Sequence, residues 1–130
     1  LQNIHNKLES LLGLEHAFLD RIYFCPHHPE KGFPGERLEL KIECDCRKPK
    51  TGLVQKAVAE LNIDLSQSWF VGDTTTDVQT AKNAGVKSIL LRTGFAGADA
   101  KYATTPDFTA ATALSTFGIM LESTGGHFII

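Results

Sequence analysis

The chain has 130 residues, of which 42% are hydrophobic and 22% charged, with a formal net charge of -2 and a pI near 6.2. That is enough chain for one domain with a core of its own, in the compositional balance of a globular protein. A weakly acidic chain lacks the basic face of a nucleic-acid binder. No apolar run approaches the ~18 residues of a membrane helix, and no basic stretch with an apolar core opens the chain as in a signal peptide; a reduced, cytoplasmic setting is expected.

Leu1, Ile4, Leu8, Leu11 and Leu12 recur at helical spacing and predict an amphipathic helix to about Leu12, with Gly13 as its stop. Residues Asp20 to Cys25 are rich in strand formers and end at Pro26, which predicts a strand. His27 to Lys50 reads as one long irregular stretch, with four of the five prolines in it or beside it. An irregular run above ~15 residues needs a reason, and a bound metal would be one.

Leu53, Val54, Ala57, Val58 and Leu61 share one face of a helix over Thr51 to Leu61, with Thr51 placed to cap it. Ser68 to Val71 is a short apolar run, hence a buried strand, closed by Gly72-Asp73. Thr76 to Ala84 predicts a helix ending at Gly85. Val86 to Leu91 predicts another strand, followed by Thr93-Gly94. Phe108 falls in a short edge strand after Pro106, and Ala110 to Leu121 predicts a final helix. Strands alternating with helices imply an α/β fold with a parallel sheet covered on both faces. The expected organisation is one domain over 1–122 and an apolar-ended tail over 123–130 that leads on to a further segment. Residue 1 is Leu and the only Met is Met120, so the chain is expected to be a piece of a longer one.

Three cysteines within positions 25 to 46 do not make a disulfide framework. Cys25 and His27 stand on one side of a loop, Cys44 and Cys46 on the other, each pair separated by one residue. Thiolate and imidazole are the preferred ligands of zinc, and four of them close a structural site. His28 is a spare, and His5, His16 and His127 receive no role. A nucleic-acid zinc module fits less well, because its paired ligands are usually two or more residues apart.

Arg47-Lys48-Pro49 follows the second ligand pair and precedes a helix, a place to hold phosphate. The strand over Ser68 to Val71 delivers Asp73 to the C-terminal edge of the sheet, where α/β sheets bind ligands. Gly72 allows close backbone approach there. Asp73 offers the oxygen that magnesium prefers. Asp77 begins the next helix, as a cap or as support for the site. The threonines between them read as capping and turn residues.

Tyr23-Phe24-Cys25-Pro26-His27-His28-Pro29, then Cys44 to Gly52, then Val71-Gly72-Asp73 with Asp77, together resemble the heptose bisphosphate and histidinol phosphate phosphatases of the haloacid dehalogenase superfamily. The likeness runs from about Phe18 to Phe95. It implies a Rossmann-like parallel sheet and a sugar or amino-alcohol phosphate as substrate. Structural zinc would sit on Cys25, His27, Cys44 and Cys46, and catalytic magnesium on Asp73. Lys48 would steady a phosphorylated intermediate and Arg47 would contact substrate phosphate. Many members of this branch carry Lys after the Gly-Asp pair, where this chain has Thr74.

The resemblance also implies a nucleophile on an Asp-x-Asp-Gly strand, which these residues lack. Phe18-Leu19-Asp20-Arg21 starts like that motif, but Ile22-Tyr23 follow, so Asp20 is a decoy. Two strand–helix units would then be missing between the zinc strand and the Gly-Asp strand. The sheet is therefore expected to be incomplete, and this chain alone inactive. The other reading is a non-catalytic, zinc-stabilised α/β module from a truncated or recombined gene, which binds a partner or another copy by strand pairing.

Overall fold

A computed structural model describes residues 1–30, 32, 34–121 and 128–129. Four helices and four strands follow in the order α1 (Gln2–Leu14), α2 (Gly52–Leu61), β1 (Trp69–Gly72), α3 (Thr75–Ala84), β2 (Lys87–Leu91), β3 (Phe108–Ala110), α4 (Ala113–Leu121) and β4 (Phe128–Ile129). Short 3-10 turns lie at Leu38–Leu40 and Leu65–Gln67.

The strands form one parallel sheet in the order β3-β2-β1-β4. Alternate side chains of β1 point to opposite faces, as the period of two demands. Phe70 packs with Val54 of α2, Ala81 of α3 and Val86 on one face. Trp69 and Val71 pack with Ile89 and Ala110 on the other, under Ile119 of α4. The core is therefore two thin layers on either side of β1 and β2. The register between β2 and β3 is pinned outside the ladder by Asp107, whose carboxylate accepts from the Ser88 amide and hydroxyl at 2.8 Å each.

The helix α3 runs as its sequence predicts, to Gly85 in the left-handed region at φ 70°. Four expectations are corrected. The first helix passes through Gly13 to Leu14, and it is His16, at φ 57°, that adopts the left-handed region beyond it. Thr51 stands at the N-cap of α2, but its side chain makes no capping bond and instead accepts from Gln55 Nε2 at 3.0 Å. The final helix begins at Ala113, because residues 108–110 are used by β3.

Residues 20–25, the fourth, form no strand. Strand propensity describes a fit to a pleated surface with neighbours, and among the described residues no strand lies beside this one. Its side chains pack sideways instead: Tyr23 donates its hydroxyl to Glu60 of α2 at 2.7 Å, Arg21 pairs with Glu60 at 3.8 Å, and Phe24 stacks against His5 of α1. Most of the stripe of α1 is uncovered among the described residues: Leu1, Ile4, Leu8 and Leu11 are exposed, as is Leu14, while Leu12 is half-buried.

The sheet edge at β1 is not left bare. Two residues of the tail, Phe128 and Ile129, pair with Trp69 and Phe70 there. The remaining tail positions, 123–127 and 130, lie outside the described residues.

Candidate metal centre and acidic site

The loop from Cys25 to Cys46 folds so that its two ligand pairs face each other. Ligand atoms of Cys25, His27, Cys44 and Cys46 all lie within 4.8 Å of one another. Cys46 Sγ is 3.1 Å from Cys25 and 3.0 Å from Cys44, Cys25 and Cys44 are 3.4 Å apart, and His27 Nδ1 is 3.3 Å from Cys46. These sulfurs are too far apart for a disulfide, at about 2.05 Å, and all three cysteines are free. They stand somewhat inside the edges of a tetrahedron built on zinc–sulfur bonds of about 2.3 Å. The donor set fits a metal ion: three soft thiols and one imidazole, aimed at a common centre. His28 lies outside this quartet, with Nε2 4.0 Å from Glu30.

Crowded thiols divide their protons unequally. Hydrogen bonding from Cys46, helped by Cys25 and His27, pulls the Cys44 thiol down to about 6. Burial, with Cys44 and Cys25 as neighbours, pushes Cys46 up to about 12. A cation would relieve that conflict by stabilising all three thiolates.

Two contacts tie the knuckle to the start of α2, and a third braces it from within. Gly52 donates its amide to the Asp45 carbonyl at 3.0 Å, and a Cβ on Gly52 would lie 2.6 Å from that oxygen. Lys50 Nζ donates to the Cys44 carbonyl at 2.9 Å, and Arg47 Nη1 to the His27 carbonyl at 3.0 Å. Arg47 therefore braces the knuckle from within. Beyond it, the Lys48–Pro49 peptide is cis.

Lys48 reaches across to the end of β1. Its Nζ lies 2.5 Å from Asp77 Oδ1. Asp77 is buried and also completes a capping box: its Oδ2 accepts from the Thr74 amide and hydroxyl, and the Thr74 hydroxyl accepts from the Asp77 amide. Of the two roles foreseen for Asp77, the capping one is filled. A Cβ on Gly72 would come within 2.4 Å of the Asp77 side chain, so the strand end must be glycine for Asp77 to sit there. Thr74 serves as the N-cap.

Asp73 follows at the strand end, half-buried. Its Oδ2 accepts from the Phe95 amide at 2.8 Å, and its carbonyl from the Gly97 amide at 2.8 Å. Gly94 lies so close that a Cβ would fall 2.1 Å from Asp73 Oδ2. Asp20 sits exposed on a bend before Arg21. A shallow groove of about 350 Å³ between the knuckle and α2 is lined by Asp45, Lys50, Gln55 and Asn83 among others, and by none of the predicted site residues.

Sequence reading gave no role to Phe95 and Asp99, and quoted Gly52 and Gly94 only as part of a motif and a turn. Asp99 accepts from the Thr75 amide at 2.7 Å and hydroxyl at 2.8 Å, and from the Thr76 hydroxyl at 3.4 Å. Burial would raise its carboxyl, but these bonds outweigh it and hold the group below its ordinary value. The only sequence signal for this loop was the turn pair Thr93-Gly94 after β2.

Residues 45–116 match the model of the HAD-hydrolase-like family, which is more than half of the chain. This chain belongs to that family. It is 52% identical over 77 residues to the D-glycero-beta-D-manno-heptose-1,7-bisphosphate 7-phosphatase of Haemophilus ducreyi, across 58% of this chain and 40% of that protein. The enzyme of the same name from Escherichia coli is 46% identical over 78 residues, across 58% of this chain and 38% of the relative. The crystal structure of D,D-heptose 1.7-bisphosphate phosphatase from B. bronchiseptica, complexed with magnesium and phosphate, superposes with a TM-score of 0.75 at 26% identity, over 95% of this chain and 64% of that one. The resemblance read from the zinc-loop and Gly-Asp motifs and the α/β fold class are therefore both upheld. The chain spans about 40% of the curated relatives it matches. No helix among the described residues is long and apolar enough to cross a membrane.

Proposed function

We propose that this chain is the zinc-knuckle and acidic-edge part of a magnesium-dependent phosphatase that hydrolyses D-glycero-D-manno-heptose 1,7-bisphosphate. The observation that carries the reading is the convergence of Cys25, His27, Cys44 and Cys46 within 4.8 Å. That quartet fits structural zinc, and it holds the chain segment from which Lys48 meets the β1 end. The names of the relatives favour a heptose bisphosphate over histidinol phosphate.

In this reading Asp73 holds magnesium by a carboxylate oxygen, and Lys48 and Arg47 act on the phosphate side. Magnesium, when bound, neutralises charge on the transferring phosphoryl group. Lys48 supplies a fixed ammonium beside it, oriented by Asp77. Thr74 contributes no positive charge, so phosphate contact rests on the basic pair of the knuckle. The attacking carboxylate comes from a segment outside residues 1–130. The uncovered stripe of α1 and the two-residue hold of β4 on β1 support such a segment, which would complete the sheet over the domain 1–122 while 123–130 leads onward. A soluble setting in carbohydrate metabolism in the cytoplasm goes with that substrate.

The test pairs metal analysis with turnover. A reduced sample should carry one zinc per chain, and phosphate release from heptose bisphosphate should be absent for this chain alone. The full open reading frame that contains it should be active with magnesium and lose activity on Asp73→Asn. Robust turnover by the isolated chain, or an active full protein indifferent to Asp73→Asn, would overturn the reading.

A further inference from the structure

The loop after β2 folds back over the C-terminal edge of the sheet and touches Asp73 three times. The Phe95 amide donates to Asp73 Oδ2, Gly97 donates to its carbonyl, and Gly94 abuts the same Oδ2 without room for a Cβ. A carboxylate gripped at one oxygen by a backbone amide and walled by a glycine cannot rotate freely. One oxygen is occupied by the loop, so the other is the one a hard cation would take.

The loop is itself fastened at its far end. Asp99 closes on the start of α3 through Thr75 and Thr76, and the Thr75 hydroxyl accepts in turn from the amides of Lys101 at 3.1 Å and Tyr102 at 3.2 Å. Ala96 and Ala100 adopt positive φ of 50° and 45°, as do Gly94 and Gly97 at 68° and 81°. Alanine in the left-handed region costs about 1–2 kcal/mol, so its two instances here need something to hold them. Turn bonds from the Ala98 amide to the Phe95 carbonyl at 2.8 Å and from the Ala100 amide to the Gly97 carbonyl at 3.2 Å hold them from within the loop, and Asp99 and the Asp73 contacts fasten the loop to the rest of the fold. Neither end of this arrangement belongs to the knuckle or to the Lys48–Asp77 pair.

We propose that residues 94–102 are a strap that orients the Asp73 carboxylate for its cation, with Asp99 as the clasp: Asp99 is a positioning residue that acts on Asp73 through the Phe95 amide. The proposal rests on the magnesium reading of Asp73 given above. Hydrogen-bonding partners of metal-ligating carboxylates typically change metal affinity by about 10–100-fold when removed, and Asp99 acts one link further out, so a loss of roughly tenfold is expected.

Manganese(II) is the probe, titrated into the zinc-loaded full protein that contains this chain and read by electron paramagnetic resonance of the free ion, beside amide hydrogen exchange. Asp99→Ala should weaken manganese binding about tenfold and speed exchange at Phe95 and Gly97, with zinc content and exchange within α2 unchanged. Asp99→Asn keeps an acceptor oxygen for the Thr75 amide and should restore most of the affinity, an outcome a loss of general stability does not produce. Thr75→Val, which removes only the hydroxyl, gives a milder version should Asp99→Ala not fold. Saturable binding that Asp73→Asn abolishes but Asp99→Ala and Thr75→Val leave untouched overturns this proposal alone. No saturable binding by the unmodified full protein overturns the magnesium reading, and this proposal with it.

Discussion

Lys48 and Asp77 join the metal knuckle to the acidic strand end by one bond of 2.5 Å, between a half-exposed ammonium and a buried carboxylate. The pair is asymmetric. Lys48 can turn to water if its partner is lost, whereas the buried Asp77 carboxylate depends on Thr74 and Lys48 for its hydrogen bonds. Lys48→Ala should therefore destabilise the fold by about 1–3 kcal/mol, through the carboxylate it strands. Asp77→Ala should cost about 1–2 kcal/mol, chiefly through the lost cap. Urea midpoints of both variants and of the double variant give the coupling. A double variant that costs the full sum of the two would mean that the ion pair contributes nothing.

Gly52 is the second tie. A methyl group there meets the Asp45 carbonyl at 2.6 Å, and the obstacle is backbone, not the end of a flexible side chain. Gly52→Ala must push the knuckle off the start of α2. The expected cost is about 1–3 kcal/mol, typical of overpacking. The more telling readout is zinc retention against a chelator, because Asp45 lies between two of the ligands. Faster zinc loss than from Gly13→Ala is expected. Gly13 has open space around it and serves as control.

These two ties also show where sequence reading stops. The convergence of Cys25, His27, Cys44 and Cys46 was legible because paired Cys and His at close spacing are what a metal site would demand, and spacing is local. The strands β1 and β2 were legible because each is a short apolar run closed by a glycine signal, Gly72 or Thr93-Gly94, and such a run has few other uses. The segment 20–25 was misread because its Tyr, Ile and Phe suit a strand, while among the described residues no strand lies beside it. Gly52 was quoted as part of a motif, but its reason is a contact with Asp45 that only the folded loop creates. Asp99 binds Thr75 across 24 residues, and nothing local distinguishes it from a solvated loop aspartate. The pairing of residues 128–129 with β1 was invisible for the same reason.

Removing the metal should loosen one part of the protein and spare another. The core around Phe70, Ala81 and Ile89 is made by β1, β2, α2 and α3, without help from the knuckle. Residues 25–50 by contrast have a single short 3-10 turn and little apolar burial among the described residues, so a bound metal would supply most of their order. Chelation, or Cys44→Ser, should raise hydrogen exchange over 25–50 while β1, α3 and β2 stay protected. Global unfolding on chelation would show instead that the knuckle is integral to the core.

Acid should weaken the clasp of the strap in a definite direction. The Asp99 carboxyl is held below its ordinary 3.8; burial opposes this, and the bonds from Thr75 and Thr76 outweigh it. A depressed folded value means that the charged form stabilises the fold. That contribution is complete above 3.8 and disappears as pH falls through the lower folded value. Asp99→Asn carries no such charge, so its stability deficit relative to the unmodified chain should be constant from neutral pH down to the ordinary carboxyl range and shrink below it. Urea midpoints of the two proteins, compared at each pH, measure this. Loss of metal in acid is common to both, so their difference isolates the carboxylate. A deficit that stays constant through the acid range would show that Asp99 does not act as an anion on the start of α3.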